Sequence, residues 1–167
     1  MKRRNFLIFG SIVGLSPYIK AKEVSTFQKD FKKVEALIKA VQEHMFPQQS
    51  KIPSARYTKA ITFLSQTIVH KSYDKDIRMF VLDGAKELNK REGGKFISMS
   101  RDQKEKALRA YEETNYGSSW LSRIMTLTME AMFSDPIYGS NVNEAGWKAL
   151  NAFGGQPRPQ TRYLKNV

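Results

Sequence analysis

Residues 118–133 read SSWLSRIMTLTMEAMF and carry the broadest apolar helical pattern of the chain. At about 100° per residue, their large apolar side chains cover roughly 200° of the helix, wider than the stripe of a surface helix. The narrow polar arc that remains consists of Ser119, Arg123, Thr126 and Glu130. We therefore predict that this is the central helix of an all-α domain. Its polar arc fits a solvent strip, an internal ion pair or a contact with a partner.

The segment after this helix contains helix-breaking residues but keeps large aromatic side chains. It continues from Phe133 as SDPIYGSNVNEAGWKALNAFGGQPRP, and holds four of the ten glycines and three of the six prolines. Disordered segments have low hydrophobicity and few aromatic residues, whereas Tyr138, Trp147 and Phe153 lie here. We expect residues 134–167 to form an ordered irregular loop on the helical domain. Its aromatic anchors fit packing on this chain's own core and contact with a partner equally well.

Four further helices are predicted before the central one. Their expected positions are Lys22–Phe46, a helix opening at Pro53-Ser54-Ala55, Asp74–Lys90, and about Ser100 to Thr114. Ser25 with Gln28 and Ser100 with Gln103 have the spacing of capping boxes. Gly84 costs up to ~1 kcal/mol relative to alanine inside a helix, so it predicts a close approach of another helix. Residues 22–133 are thus expected to form an all-α bundle of about five helices.

The composition excludes several kinds of chemistry. The chain has no cysteine and only two histidines, His44 and His70, which removes disulfides, thiolate metal sites and covalent haem attachment. Both histidines are expected to lie at the surface or next to a helix cap, near the ends of their helices. Nucleotide-binding glycine motifs and the G-x-S-x-G elbow are missing from the sequence, and Asp135 is expected to cap or turn the chain before Pro136. We predict no catalytic, cofactor-binding or metal-binding residue in this chain.

The net charge of +12 favours acidic partners, anionic membranes or nucleic acid. The lysines, however, are scattered over all the predicted helices, which is typical of a solvated surface. Because no groove-reading motif is found either, we do not expect nucleic acid as a partner.

The N-terminus has the pattern of an export signal. Arg3 and Arg4 are followed, one residue later, by Phe6 and Leu7, and the apolar run Phe6–Ile19 spans about 21 Å as a helix, short of a ~30 Å hydrocarbon core. This favours a signal peptide of the twin-arginine type over residues 1–21, and hence folded export to the periplasm. The alternative is a basic, apolar first helix of a cytoplasmic protein.

The loop also carries a family motif. It resembles the D-P-x-Y-G-G-N and G-W-K stretches of the gluconate 2-dehydrogenase subunit 3 family in Asp135-Pro136-Ile137-Tyr138-Gly139-Ser140-Asn141 and Gly146-Trp147-Lys148. Pro47 with residues 53–55, and the stretch from Gly94 to Gln103, are similar to further segments of that family. Ser140 stands in place of the second glycine, and residues 149–151 lack a glycine often found after G-W-K.

The resemblance implies a non-catalytic small subunit of an oxidoreductase complex. Its partners would be an FAD-containing large subunit and a membrane-bound cytochrome subunit with haem c, and the substrate would be gluconate or a related sugar acid or polyol. The twin-arginine translocase would export the folded, FAD-loaded pair by the small subunit's signal. The candidate loop anchors or partner contacts are Tyr138, Gly139, Asn141, Gly146 and Trp147. The alternative is a stand-alone periplasmic binding or assembly protein.

Overall fold

The computed structural model describes residues 26–48, 51–70 and 72–162. Within these ranges the protein has six α-helices and no strand, which confirms the all-α prediction. The helices are α1 (26–45), α2 (Ala60–Val69), α3 (Lys75–Arg91), α4 (Arg101–Glu112), α5 (Asn115–Phe133) and α6 (Ala145–Ala149). Short 3-10 turns occupy Phe96–Ser98, Pro136–Tyr138 and Val142–Glu144. The predicted signal, residues 1–21, and the Ser25 cap lie outside the described residues.

The helix α5 is central, as predicted. It packs against α2, α3, α4 and α6, and a buried hydrogen bond from Gln42 Nε2 to Thr128 Oγ1 (3.1 Å) ties it to α1. It begins at Asn115, three residues before the predicted start, because the Thr114 side chain accepts a hydrogen bond from the Gly117 N–H and caps it there. Its polar arc is mostly a solvent strip, with Ser119, Thr126 and Glu130 exposed and Arg123 half-buried.

Gly84 is the point where α3 meets α5. A Cβ atom at this position would overlap Cδ1 and Nε1 of the fully buried Trp120 indole. The same indole donates a hydrogen bond to the Val81 carbonyl (3.0 Å), and the Tyr111 hydroxyl donates one to the Gly84 carbonyl (3.2 Å). The close approach predicted from this glycine is therefore confirmed, and the close neighbour is an aromatic side chain.

Local capping explains where the other helices begin. Asp74 accepts hydrogen bonds from the N–H groups of residues 76 and 77, and Ser100 with Gln103 forms the predicted capping box. The prediction that the second helix opens at residues 53–55 is wrong. Ser54 caps a separate turn by accepting from the Tyr57 N–H, and Lys59 then adopts the left-handed conformation (φ 56°), so α2 starts only at Ala60.

Among the helices of residues 26–48, 51–70 and 72–162, none combines the length and the hydropathy needed to cross a bilayer.

Candidate functional site

Residues 134–162, which we call the C-terminal clasp, fold back onto α5 and α2 after α5 ends. The clasp is ordered, as predicted, but it contains the short helix α6 where only irregular structure was expected. The Asp135 carboxylate accepts a hydrogen bond from the Ile137 N–H (2.9 Å) and so caps the 3-10 turn Pro136–Tyr138. This is the capping role predicted for Asp135.

Asn141 holds the middle of the clasp. It is fully buried and left-handed (φ 49°), a conformation that asparagine tolerates better than most residues. Its Nδ2 donates to the Ser134 carbonyl and its Oδ1 accepts from the Gly146 N–H, both at 2.8 Å. Its backbone N–H donates to the Thr58 carbonyl (3.0 Å) in the turn before α2. The side chain and the backbone N–H of this one residue thus connect the end of α5, the start of α6 and the turn before α2.

Trp147 anchors α6 against the end of α5. Its side chain is buried, and its Nε1 donates to the Phe133 carbonyl (2.7 Å). Gly146 lies so close to the Met132 carbonyl, and Gly154 so close to the indole, that a Cβ at either glycine would overlap these neighbours. Glycine is therefore required on both sides of this tryptophan.

Arg158 links three residues of the clasp at its partly exposed surface. Its Nε donates to Asp135 Oδ2 (2.7 Å), its Nη1 donates to Glu144 Oε1 (3.0 Å), and its guanidinium carbon lies 4.6 Å from the centre of the Trp147 ring. Burial raises the pKa of Asp135, but the hydrogen bonds from Arg158 and Ile137 outweigh it, so this pKa lies below its ordinary value. Asp135 is thus held as a carboxylate. The sequence reasoning missed this arginine.

Tyr138 and Gly139 complete the set of candidate residues. Tyr138 is half-buried, and its ring meets Phe63 of α2 edge to face, with 6.5 Å between ring centres. Gly139 has φ 85°, a left-handed conformation that favours glycine and turns the chain towards Asn141. Ser140, where the family motif has glycine, is buried with its hydroxyl 2.8 Å from that of Ser134. Asn141, Gly146 and Trp147 thus make buried contacts that hold the clasp against the end of α5.

A second feature, which the sequence did not predict, is a cavity of about 480 Å³ that we call the methionine groove. It lies between the end of α1, the helix α4 and the first half of α5. Its apolar wall consists of Met45, Phe46, Leu108, Leu121 and Met125. Its volume falls in the range of small-molecule pockets, about 300–1,000 Å³, but its helix-lined shape also suits a protein segment.

The polar rim of the methionine groove is a chain of paired charges. His44 Nε2 lies 2.7 Å from Glu105 Oε2, and the Arg109 guanidinium donates to Glu105 and to Glu112, both at 2.9 Å. Hydrogen bonds from His44 and from Arg109 keep the pKa of Glu105 below its ordinary value. His44 lies one residue before the end of α1, as expected of a histidine near a helix end, and its side chain is only 9% exposed because Glu105 of α4 lies against it.

In the part of the chain that the structure describes, no group of three or more histidine, aspartate or glutamate side chains is placed to hold a metal ion.

Comparison with known proteins adds one finding. The family described as gluconate 2-dehydrogenase subunit 3 matches residues 32–155, which is most of the chain and runs from α1 into the clasp. No curated protein and no solved structure matches. The match includes the Asp135–Asn141 stretch and the Gly146-Trp147-Lys148 stretch that build the clasp. The chain therefore belongs to the gluconate 2-dehydrogenase subunit 3 family.

Proposed function

We propose that this protein is the non-catalytic small subunit of an FAD-dependent dehydrogenase complex of the gluconate 2-dehydrogenase type. Its task is the export and assembly of the flavoprotein subunit. The observation that carries this proposal is the family match over residues 32–155, since the family is that of a gluconate 2-dehydrogenase subunit. FAD would be held by the large partner, and haem c by a membrane-bound cytochrome partner.

The contacts of the motif residues support a non-catalytic role. The Asp135 carboxylate is paired with the Arg158 guanidinium and caps a turn. Both the nitrogen and the oxygen of the Asn141 side-chain amide make hydrogen bonds to residues around the clasp. A catalytic acid or base needs to reach a substrate proton. These two polar side chains instead hold the loop in place, as expected of a scaffold that presents a defined surface to another protein.

Export belongs to the same proposal. The pattern of Arg3, Arg4, Phe6 and Leu7 is typical of the twin-arginine route, which carries folded proteins. A small subunit with such a signal would bring a folded, FAD-loaded partner with it to the periplasm. The complex would then be held at the membrane by its cytochrome subunit.

The complex itself is the first test. The protein, expressed from its full sequence and purified from the periplasm through a C-terminal tag, should bring with it a second chain that contains FAD. The purified pair should reduce an artificial dye when gluconate or a related sugar acid is added. Recovery of a lone monomer, without flavin and without dye reduction, would favour the stand-alone periplasmic binding or assembly protein.

Export makes a separate prediction. The double substitution Arg3→Lys and Arg4→Lys should leave gluconate-dependent dye reduction undetectable in the periplasm, while the flavoprotein accumulates in the cytoplasm. The physical reason is that the translocase recognises the arginine pair, so that conserving the charge is insufficient. Lys2→Arg is the matched control, because it changes a neighbouring basic residue and keeps the pair. Unchanged periplasmic activity of the double variant would rule out this export role.

A further inference from the structure

Two methionines on the apolar side of the central helix α5 are exposed. Met125 and Met129 are 43% and 44% exposed, and since they lie four residues apart on α5 they share one face. The sequence pattern placed both on the apolar side of the helix, so this part of the apolar surface has no cover among the described residues. Methionine is flexible and polarisable, and exposed methionines occur often on surfaces that bind other proteins.

The methionine groove extends this exposed strip. Met125 belongs to both, and beside it lie Met45 at the end of α1, Phe46 directly after it, and the buried Leu108 and Leu121. The result is an apolar depression bounded by the helices α4 and α5 and continued by Met129. An amphipathic helix that lays its apolar face into such a groove is a common mode of protein recognition.

The rim of the groove indicates the charge of its occupant. Apart from the His44 ring, it carries two carboxylates, Glu105 and Glu112, and one guanidinium, Arg109. Arg109 pairs with both carboxylates and His44 with one of them, so the rim has one more carboxylate than guanidinium group, in a chain whose net charge is +12. Complementary potentials favour a partner with a lysine or arginine beside its apolar side chains.

We propose that the methionine groove, together with Met129, receives an amphipathic helical segment of the flavoprotein subunit that bears apolar anchors and a basic residue. This inference rests on the proposed function, and it names the surface through which that function is performed. The clasp, whose motif residues contact their own chain, then serves to hold the C-terminal end of the same helix, α5.

A second copy of this chain fits the groove less well. In a two-fold dimer the same patch lies on both subunits, so the Glu105 and Glu112 edge of one copy would face that of the other. Like charges placed opposite each other in an interface oppose association. A partner of different sequence avoids this repulsion.

The test compares full-length variants for binding to the FAD-containing chain that co-purifies with the wild-type protein, after that chain has been separated from it. Met125→Glu with Met129→Glu should raise the dissociation constant at least about tenfold, because charged groups would enter the apolar contact. The matched control is Met79→Glu, since Met79 on α3 is similarly exposed (39%) and does not line the groove. It should bind as the wild type does.

A second pair of variants tests the role of the charged rim. Glu112→Lys should weaken binding, whereas Glu113→Lys should not, because the exposed Glu113 is adjacent and does not line the groove. The midpoint temperature of thermal unfolding should be the same in all variants, so that a change in binding cannot be due to a loss of folding.

The outcomes distinguish the two proposals. If the wild-type chain forms no complex with any FAD-containing chain, the proposed function is wrong, and the groove inference that rests on it is wrong too. If the complex forms and the groove variants bind as tightly as Met79→Glu, the proposed function stands and the groove inference is overturned. A wild-type homodimer that the methionine variants dissociate, or a groove filled by residues 1–25 of the same chain, would also overturn it.

Discussion

Replacing Gly84 by alanine should lower the free energy of unfolding of the helical domain by about 3 kcal/mol. In an exposed helix the same change raises stability by up to ~1 kcal/mol, because glycine is the poorer helix former. Here the added Cβ would overlap the indole of Trp120, which is itself fully buried and hydrogen-bonded to the Val81 carbonyl. Cores are close-packed, so the indole has no free space to move into.

Chemical unfolding followed by circular dichroism measures this effect. Lys86→Ala on the same helix is the control, because Lys86 is exposed and its replacement tests the helix propensity without the overlap. The midpoint of Gly84→Ala should fall well below those of the wild type and of Lys86→Ala. A Gly84→Ala protein at least as stable as the wild type would show that α3 and α5 do not approach each other this closely.

The parts of the fold that follow from local chemistry could be predicted from the sequence. The breadth of the apolar pattern over residues 118–133 identified the central helix, and Ser100 with Gln103 identified a helix start, since capping needs only a few neighbouring residues. Gly84 indicated a close approach because glycine destabilises a helix relative to alanine, so its presence suggests that a neighbouring group leaves no room for a side chain. The partner at that contact, Trp120, lies 36 positions further along the chain and could not be read from the pattern.

The start of α2 and the existence of α6 depend on distant contacts. The turn before α2 ends in left-handed Lys59, and the carbonyl of the preceding Thr58 accepts the Asn141 N–H. The helix α6 follows two left-handed residues, Asn143 and Glu144, which local propensity reads as a break. Its Trp147 donates a hydrogen bond to the Phe133 carbonyl at the end of α5, a contact between residues 14 positions apart.

The methionine groove escaped prediction for a related reason. Its wall and rim come from α1, α4 and α5, and in the sequence each of those residues belongs to an ordinary amphipathic helix. The 2.7 Å contact of His44 with Glu105 could not be predicted, because the two residues lie 61 positions apart in the sequence. Whether Met125 and Met129 are exposed depends on how much of the surface of α5 is covered by the neighbouring helices. The helical period alone does not determine this coverage.

Trp147→Ala should open the clasp while the helical core stays folded. Removing a buried tryptophan costs about 3–5 kcal/mol, and here the change also leaves the Phe133 carbonyl without its donor and removes the ring beneath Arg158. Regions with few core contacts unfold locally before the whole domain does. Hydrogen exchange should therefore become fast for the amides of residues 134–162, whereas those at the centre of α5 remain protected.

Phe153→Ala is the matched control, because Phe153 lies in the same segment but is 80% exposed. Its removal deletes an aromatic ring of similar hydrophobicity without taking away a buried contact, so its clasp amides should exchange at the wild-type rate. Wild-type protection of the clasp in Trp147→Ala, or equal loss of protection in both variants, would contradict the anchoring role of Trp147. If the clasp opens as expected, the loss should also weaken binding of the flavoprotein, since the C-terminal end of α5 then loses the contacts that hold it next to Met129.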